Sequence, residues 1–216
     1  MSVAADVSDW IDTPAPLNTN KCGERAVFSS SDTIVQRRDP DSVRYKCVCY
    51  TAHPLSPGQV WQTTVLETTI TLLSGLTVGV TATLPQVVPF ELLFQRSGPH
   101  EWLYRGTSLS HNGRNVSSDL PNIEFLKRHQ TVGLLLTASG DLHVFINGLH
   151  VKKVASGLPV NNHLWGAVDV YGRCAKIKSE LLSGGRWGWC DGLCQLLLYT
   201  KQHCGSGLEE NRFFSK

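Results

Sequence analysis

Apolar and polar side chains alternate with a period of two along much of this chain. Between Leu76 and Ala82 the apolar residues take the even positions, and Thr77 and Thr81 take odd ones. Residues 60–66 and 164–171 alternate in the same way. A period of two is typical of half-buried β-strands, whereas no long stretch shows the 3.6-residue apolar period of a helix. The pattern therefore predicts strands throughout, with one helical turn at residues 122–128.

The clearest local prediction is a three-stranded meander in the middle of the chain. Apolar runs at 131–137, 142–146 and 149–154 are separated by two short turn sequences. The first turn contains Gly140, and the second is Asn147-Gly148. Asn-Gly favours a two-residue hairpin turn because both residues tolerate a positive φ. The three runs are therefore predicted to be consecutive antiparallel strands.

Many short strands separated by turns indicate an all-β fold. The chain contains 19 glycines and 10 prolines, which punctuate the alternating segments. This organisation predicts an antiparallel β-sandwich or jelly roll with short irregular tails. We assign residues 1–23 to a flexible N-terminal tail, 24–181 to the sandwich, and 182–216 to a Trp- and Cys-rich C-terminal tail without a predicted structure.

Composition and charge narrow the classes of protein that fit this pattern. The 216 residues suit one large domain, and 41% hydrophobic with 18% charged residues is typical of a folded, soluble chain. A net charge of +2 predicts no nucleic-acid or anionic-membrane partner. The apolar runs are too short for a membrane span. Seven cysteines without a secretory signal favour reduced thiols and a cytoplasmic location.

The C-terminal half of the predicted sandwich carries a recognisable series of motifs. In order, the chain has Thr131-Val132-Gly133-Leu134, then Gly140-Asp141-Leu142-His143-Val144-Phe145-Ile146-Asn147-Gly148, then Leu164-Trp165-Gly166-Ala167-Val168-Asp169-Val170-Tyr171-Gly172. Looser matches precede them at Val35-Gln36-Arg37-Arg38, at Ser74-Gly75-Leu76-Thr77-Val78-Gly79-Val80-Thr81 and at Glu101-Trp102-Leu103. Over about residues 24–180 the chain resembles the Neuralized homology repeat.

The resemblance implies a SPRY-like sandwich that acts as a protein-interaction module. It implies recognition of a protein or short linear peptide motif, with a ubiquitin ligase recruited in trans, as in Notch-ligand regulation or centrosomal assemblies. Members often carry a RING finger or a SOCS box after the repeat, and this sequence shows neither motif. Two alternatives remain open: a carbohydrate-binding jelly roll, and a zinc-dependent ubiquitin ligase acting through the tail.

Aromatic and turn residues are the candidates for contact with a partner. Trp102 and Tyr104 form either a peptide-docking patch or part of the core, since buried aromatic anchors dominate interface energetics. Asn147-Gly148 is either a recognition loop or a plain turn, and Asp169 either caps a binding surface or bonds to backbone at a strand end. The predicted partner-binding set is Trp102, Tyr104, Asn147, Gly148, Asp169 and Tyr171.

The sequence predicts no catalytic role and no cofactor. It contains no Gly-x-Ser-x-Gly elbow, no His-Glu-x-x-His pair and no phosphate loop. Cys47 and Cys49 alternate along one strand, so both are predicted to be buried thiols on one face. Four tail residues are weak zinc candidates whose spacing matches no known finger, and unbound thiols are favoured: Cys190, Cys194, His203 and Cys204.

Overall fold

The computed structural model describes residues 11–40, 47–70, 75–85 and 100–183. Within these ranges the chain forms fifteen strands and one short 3-10 helix, and every strand pair is antiparallel. The strands form two sheets, so the predicted antiparallel β-sandwich is confirmed. No helix in these ranges is long and apolar enough to cross a membrane.

The first sheet has eight strands in the order β13-β12-β11-β6-β15-β4-β3, with β1 also paired to β15. Its strands are β1 (Ile11–Pro14), β3 (Ala26–Ser29), β4 (Ile34–Arg37), β6 (Val60–Thr68), β11 (Thr131–Leu136), β12 (Leu142–Ile146), β13 (Leu149–Ala155) and β15 (Cys174–Ser183).

The second sheet has seven strands in the order β10-β9-β8-β7-β14-β5-β2. Its strands are β2 (Leu17–Cys22), β5 (Val48–Thr51), β7 (Thr77–Thr81), β8 (Glu101–Arg105), β9 (Ser108–His111), β10 (Arg114–Ser117) and β14 (Trp165–Asp169). Some strands that follow each other in the chain, such as β5 and β6, lie in different sheets, whereas others, such as β7 and β8, are neighbours in one sheet.

The core lies between the two sheets and is made from alternate residues of each strand. Val78 and Val168 of the second sheet are at most 1% exposed, as is Trp61 of the first. The Trp61 Nε1–H donates to Ser179 Oγ at 2.9 Å, so the one polar atom of this indole is satisfied inside the core. A Cβ on Gly166 would lie 2.8 Å from the Trp61 ring, so glycine lets the sheets approach each other.

The central meander is confirmed. β11 pairs with β12 from Val132↔Ile146 to Leu136↔Leu142, and β12 pairs in turn with β13. Asn147 and Gly148 have φ angles of 50° and 77°, the positive values that a type I′ hairpin turn requires. The helical turn predicted at 122–128 is a 3-10 helix restricted to Ile123–Phe125.

The N-terminal boundary differs from the prediction. Residues 11–22 were assigned to a flexible tail, but they form β1 and β2, which pair with β15 and β5. Ala15, which lies between the two strands, is 3% exposed, and Leu17, the first residue of β2, is 2% exposed. Pro14 and Pro16 suggest a loop in the sequence, yet proline is tolerated in edge strands such as β1. At the other boundary, β15 continues to Ser183, two residues beyond the predicted end.

Candidate functional site

A row of polar side chains crosses the outer face of the second sheet. Asp169 of β14 is the Cα partner of Thr77 in β7, and Thr77 is the partner of Arg105 in β8. Directly paired residues of antiparallel strands share a face. Their neighbours Val78, Tyr104 and Val168 belong to the core between the sheets. Asp169, Thr77 and Arg105 therefore lie on the opposite, outer side.

Asp169 is the most unusual residue of this row because its carboxyl is buried. The residue is only 1% exposed, and burial raises its pKa to about 7. The positive charges of Arg37 and Arg105 act in the opposite direction but do not cancel the effect of burial. Within the described part of the chain, Asp169 Oδ1 has no hydrogen-bond partner. The carboxyl is therefore partly protonated at neutral pH, where an ordinary aspartate is ionised.

Tyr171 and Glu124 continue the row beyond the end of β14. The Tyr171 hydroxyl lies 3.5 Å from Glu124 Oε1, and the same oxygen accepts a hydrogen bond from Arg105 Nε at 3.2 Å. Tyr171 is 1% exposed, and burial raises its pKa to about 12. The buried Tyr171 side chain therefore contacts the Arg105–Glu124 ion pair from the interior of the protein. The Arg105 side chain of this pair is 47% exposed.

A short loop carries Glu124 to this position. The Asn122 side chain caps the 3-10 helix by accepting a hydrogen bond from the Glu124 backbone at 3.0 Å. Ile123 and Leu126 are buried and anchor the segment, at 0% and 8% exposed. Phe125, between Glu124 and Leu126, points outward and is 51% exposed. The loop that carries this exposed aromatic ring is therefore held in place by the buried side chains of Ile123 and Leu126.

Arg105, Gly106, Glu124 and Phe125 form a group that we call the Phe125 surface, in which Arg105 and Phe125 are the exposed members. Gly106 has a φ of +55°, and a Cβ added to this glycine would lie 3.8 Å from the Glu124 carboxyl. This left-handed glycine lies in the turn that joins β8 to β9, and its carbonyl accepts a hydrogen bond from the Ile123 N–H at 3.1 Å. The surface combines a half-exposed aromatic ring, a charged pair and a loop backbone.

Trp102 and Tyr104 do not form an exposed docking patch. They lie on the inward face of β8, at 7% and 0% exposed, and both belong to the core. The Trp102 ring stacks on His111 with centroids 4.3 Å apart, and the Tyr104 hydroxyl donates to the backbone carbonyl of Pro121. Of the two alternatives that the sequence left open, the structure places both aromatic rings in the core.

Asn147 and Gly148 are more exposed than Trp102 and Tyr104, but their turn joins two strands of the first sheet. Asn147 Oδ1 accepts a hydrogen bond from the Thr131 backbone at 2.9 Å, and the Asn147 N–H donates to the Thr131 carbonyl at 3.0 Å. Both interactions attach the β12–β13 turn to the first residue of β11. The side chain of Asn147 therefore performs a structural task at this turn.

The predicted partner-binding residues thus do not form one patch. The structure brings Asp169 and Tyr171 together, places Trp102 and Tyr104 on the inner side of the same sheet, and leaves the Asn147 turn in the first sheet. Sequence reasoning missed Arg105, Glu124 and Phe125. The available signal was Phe125 itself, a large aromatic residue within the predicted turn at 122–128, where polar residues are the norm.

His143 is a structural histidine on the outer face of the first sheet. Its Nδ1 lies 3.0 Å from His150 Nε2, in a side-chain hydrogen bond between β12 and β13. Burial, followed by the charge of His150, lowers the pKa of His143 to about 4, although Asp141 acts in the opposite direction. The ring is therefore neutral near physiological pH and satisfied by its neighbour.

The cysteines of the described residues are free thiols. Cys47, Cys49 and Cys174 are buried, and Cys22 is partly exposed. The prediction that Cys47 and Cys49 point into the core from one face is confirmed. In the described ranges no group of three or more His, Cys, Asp or Glu side chains is arranged to hold a metal ion. The tail candidates Cys190, Cys194, His203 and Cys204 lie outside the described residues.

Comparison with known proteins identifies relatives of this sandwich. The sequence model of the family described as Neuralized matches residues 19–180. The crystal structure of the Drosophila melanogaster neuralized-NHR1 domain is similar, with a TM-score of 0.60 and 18% identity over 77% of this chain and 97% of that one. The SPRY domain of human HERC1 gives a TM-score of 0.57 and 17% identity over 76% and 96%. These matches support a protein-interaction module.

A solution structure of the Drosophila melanogaster Neuralized NHR domain is also similar. It has a TM-score of 0.60 and 17% identity, covering 77% of this chain and 91% of that domain. At these identities the structural likeness establishes the shared fold. The SPRY-like sandwich expected from the motifs at 131–172 is thereby confirmed.

Proposed function

Because this chain belongs to the Neuralized family, we propose that it recognises a protein partner through the Phe125 surface. The observation that carries this proposal is a half-exposed phenylalanine next to the Arg105–Glu124 ion pair, on a loop anchored by buried residues. Aromatic side chains and arginine are enriched at protein interfaces. A ring held in place before binding loses little conformational entropy when it is buried by a partner.

Charge and polarity on this surface favour a polypeptide partner. Arg105 is half-exposed, and Glu124, the chain neighbour of Phe125, is 17% exposed at its side chain. Both offer hydrogen-bonding atoms on the same surface as this apolar ring. A peptide segment matches this mixture because it presents backbone donors and acceptors next to apolar side chains. The buried Tyr171 contacts Glu124, and Asp169 is separated from Arg105 by Thr77, so both are assigned an indirect role.

The proposal is tested by comparing partners of the full chain and of three variants, of which the first two are a matched pair. Phe125→Ala removes the exposed ring, and Val116→Ala removes a similarly exposed apolar side chain on β10, 48% exposed. Proximity labelling in cells identifies partners, and the purified partner is then titrated against each variant. We expect Phe125→Ala to weaken binding at least about tenfold, as expected for an interface hot spot.

The control separates this surface from a general loss of structure. Val116→Ala should leave the affinity unchanged, and Arg105→Ala should weaken it. Partners that bind Phe125→Ala and Arg105→Ala as tightly as the wild type would contradict the assignment of the Phe125 surface.

We further propose that the chain acts in the cytoplasm as an adaptor that presents its partner to a ubiquitin ligase recruited in trans, in Notch signalling or at the centrosome. The family resemblance supports this role. Ubiquitin conjugation of the identified partner should rise when the wild-type chain is expressed and should not rise with Phe125→Ala. Unchanged conjugation in spite of intact binding would contradict the adaptor role and leave the binding role standing.

A further inference from the structure

Cys22 and Cys49 face each other across the edge of the second sheet. They are Cα partners in the antiparallel pair of β2 and β5. The Gly23 N–H donates to the Val48 carbonyl at 2.7 Å, one residue outside the pair on each strand. This pattern makes Cys22 and Cys49 a non-hydrogen-bonded pair, in which the Cα atoms are about 4.5 Å apart and the side chains are closest. That separation falls within the range that a disulfide spans.

The two thiols differ in their access to solvent. Cys22 is partly exposed, whereas Cys49 is completely buried. The Cys22 thiol is 3.4 Å from the Thr19 carbonyl, and the Cys49 thiol is 3.9 Å from the Cys47 carbonyl. Both are reduced in this structure. A small oxidant therefore reaches Cys22 first, and Cys49 lies directly opposite as the second sulfur.

We propose that Cys22 and Cys49 are a modification site at which a peroxide forms a disulfide between β2 and β5. The Cys22 thiolate attacks one peroxide oxygen, the O–O bond breaks, and water leaves after protonation. Cys22 becomes a sulfenic acid. The Cys49 sulfur then attacks the sulfenic sulfur, and its thiol proton leaves with the hydroxyl group as a second water. In total two thiols lose two electrons and two protons, and one hydrogen peroxide becomes two waters.

The neighbouring thiols are placed less well for this reaction. Cys47 lies on the same strand segment as Cys49, and β2 provides it with no registered Cα partner among the described residues. Cys174 belongs to β15 in the opposite sheet. The geometry thus selects Cys49 as the partner of Cys22.

The environment also determines how fast the bond forms. Burial, followed by the electrostatic effect of the nearby Cys47 side chain, raises the pKa of Cys22. Because the thiolate is the nucleophile, the reaction is slow at neutral pH and accelerates as the pH rises. The site is therefore suited to sustained exposure to peroxide and not to rapid catalytic turnover.

The bond would reinforce a weakly paired edge. β2 shares only the pairs Leu17↔Thr51 and Cys22↔Cys49 with β5, and its register shifts between them. A disulfide at this point removes conformational freedom from the unfolded chain. We expect peroxide treatment to raise the midpoint of thermal unfolding by about 5–10 °C.

The test is a disulfide map of the full chain. The protein is treated with hydrogen peroxide, its remaining thiols are alkylated, and it is digested without reductant for mass spectrometry. The expected product is a peptide containing Cys22 linked to the peptide containing Cys49. Cys47→Ser distinguishes the two thiols of the second peptide and should keep the link, as should the control Cys174→Ser.

Three results would overturn the proposal. They are a link from Cys22 to Cys47 or to another cysteine, a link between two molecules, and oxidation of Cys22 to the sulfinic acid without any link. Cys22→Ser alters a partly exposed side chain and is expected to fold. In this variant peroxide should no longer shift the unfolding midpoint, and a shift equal to that of the wild type would also count against the pair.

Discussion

At the scale of single residues, the structure shows how position decides the charge of a carboxyl. Asp169 stands at the end of β14, where its residue type suggests an exposed, ionised group. Pairing with Val48 and Thr77 on either side leaves it 1% exposed, so that burial outweighs the attraction of two arginines. The sequence motif predicted the position of Asp169, but its burial depends on strands that are distant in sequence.

Replacement of Asp169 by Asn should change how stability depends on pH. The folded-state pKa of about 7 is above the ordinary value of 3.8, so the wild type loses stability as pH rises from about 4 to 7. Asn mimics the neutral acid and does not ionise. Relative to the wild type, Asp169→Asn should therefore gain about 2–4 kcal/mol between pH 4 and pH 8.

Urea unfolding at several pH values measures this difference. The His143 contribution has the opposite slope in the same window, because its pKa is lowered, but it is present in both proteins and cancels in the comparison. Asp119→Asn, at an exposed loop position, serves as the matched control. A difference between Asp169→Asn and the wild type that is independent of pH would contradict the assignment.

The residues of β8 show why the sequence alone could not identify the exposed side chains of this strand. Whether Trp102 is core or surface depends on which face of β8 the second sheet turns inward. Alternation shows that Trp102 and Tyr104 share a face, but it does not tell which face is buried. Arg105 was overlooked because a single basic residue after an apolar run carries no signal until Glu124 is placed beside it.

At the scale of elements, the turns with positive φ angles were the most predictable features. Asn147-Gly148 identified the β12–β13 hairpin because few other residues accept that backbone conformation. β1 and β2 were missed since their partners are remote: Ile11 pairs with Ser183, and no local pattern connects the two. Strands that are joined by short turns can thus be predicted from the sequence, whereas strands that pair only with distant segments cannot.

A substitution at Gly148 should weaken the hairpin. Its φ of 77° is strained for any residue with a Cβ, above all for a β-branched one. We expect Gly148→Val to lower the free energy of unfolding by about 1–2 kcal/mol. Leu149→Val, at the next position and 54% exposed, should change it by less than about 0.5 kcal/mol. Chemical denaturation distinguishes the two, and equal effects would argue against strain at the turn.

At the scale of the whole molecule, the sandwich holds the loop that carries the proposed Phe125 surface. The class of fold was predictable because alternation and turns recur along the chain. The division of strands between the sheets was not, since consecutive strands such as β7 and β8 stay together while β5 and β6 separate. That division places Arg105, Glu124 and Tyr171 at one end, and it arises from packing between distant segments.

The pairing of β1 with β15 also determines how the fold responds to mechanical load. Ile11 and Ser183 are Cα partners, so the two strands leave the sheet side by side. Tension applied between these residues opens the interstrand hydrogen bonds one after another, as in a zipper, and does not shear them together. In single-molecule stretching β1 should detach at low force while the remaining sandwich stays folded. The same domain would then extend by a short, defined step under load before the proposed Phe125 surface is lost.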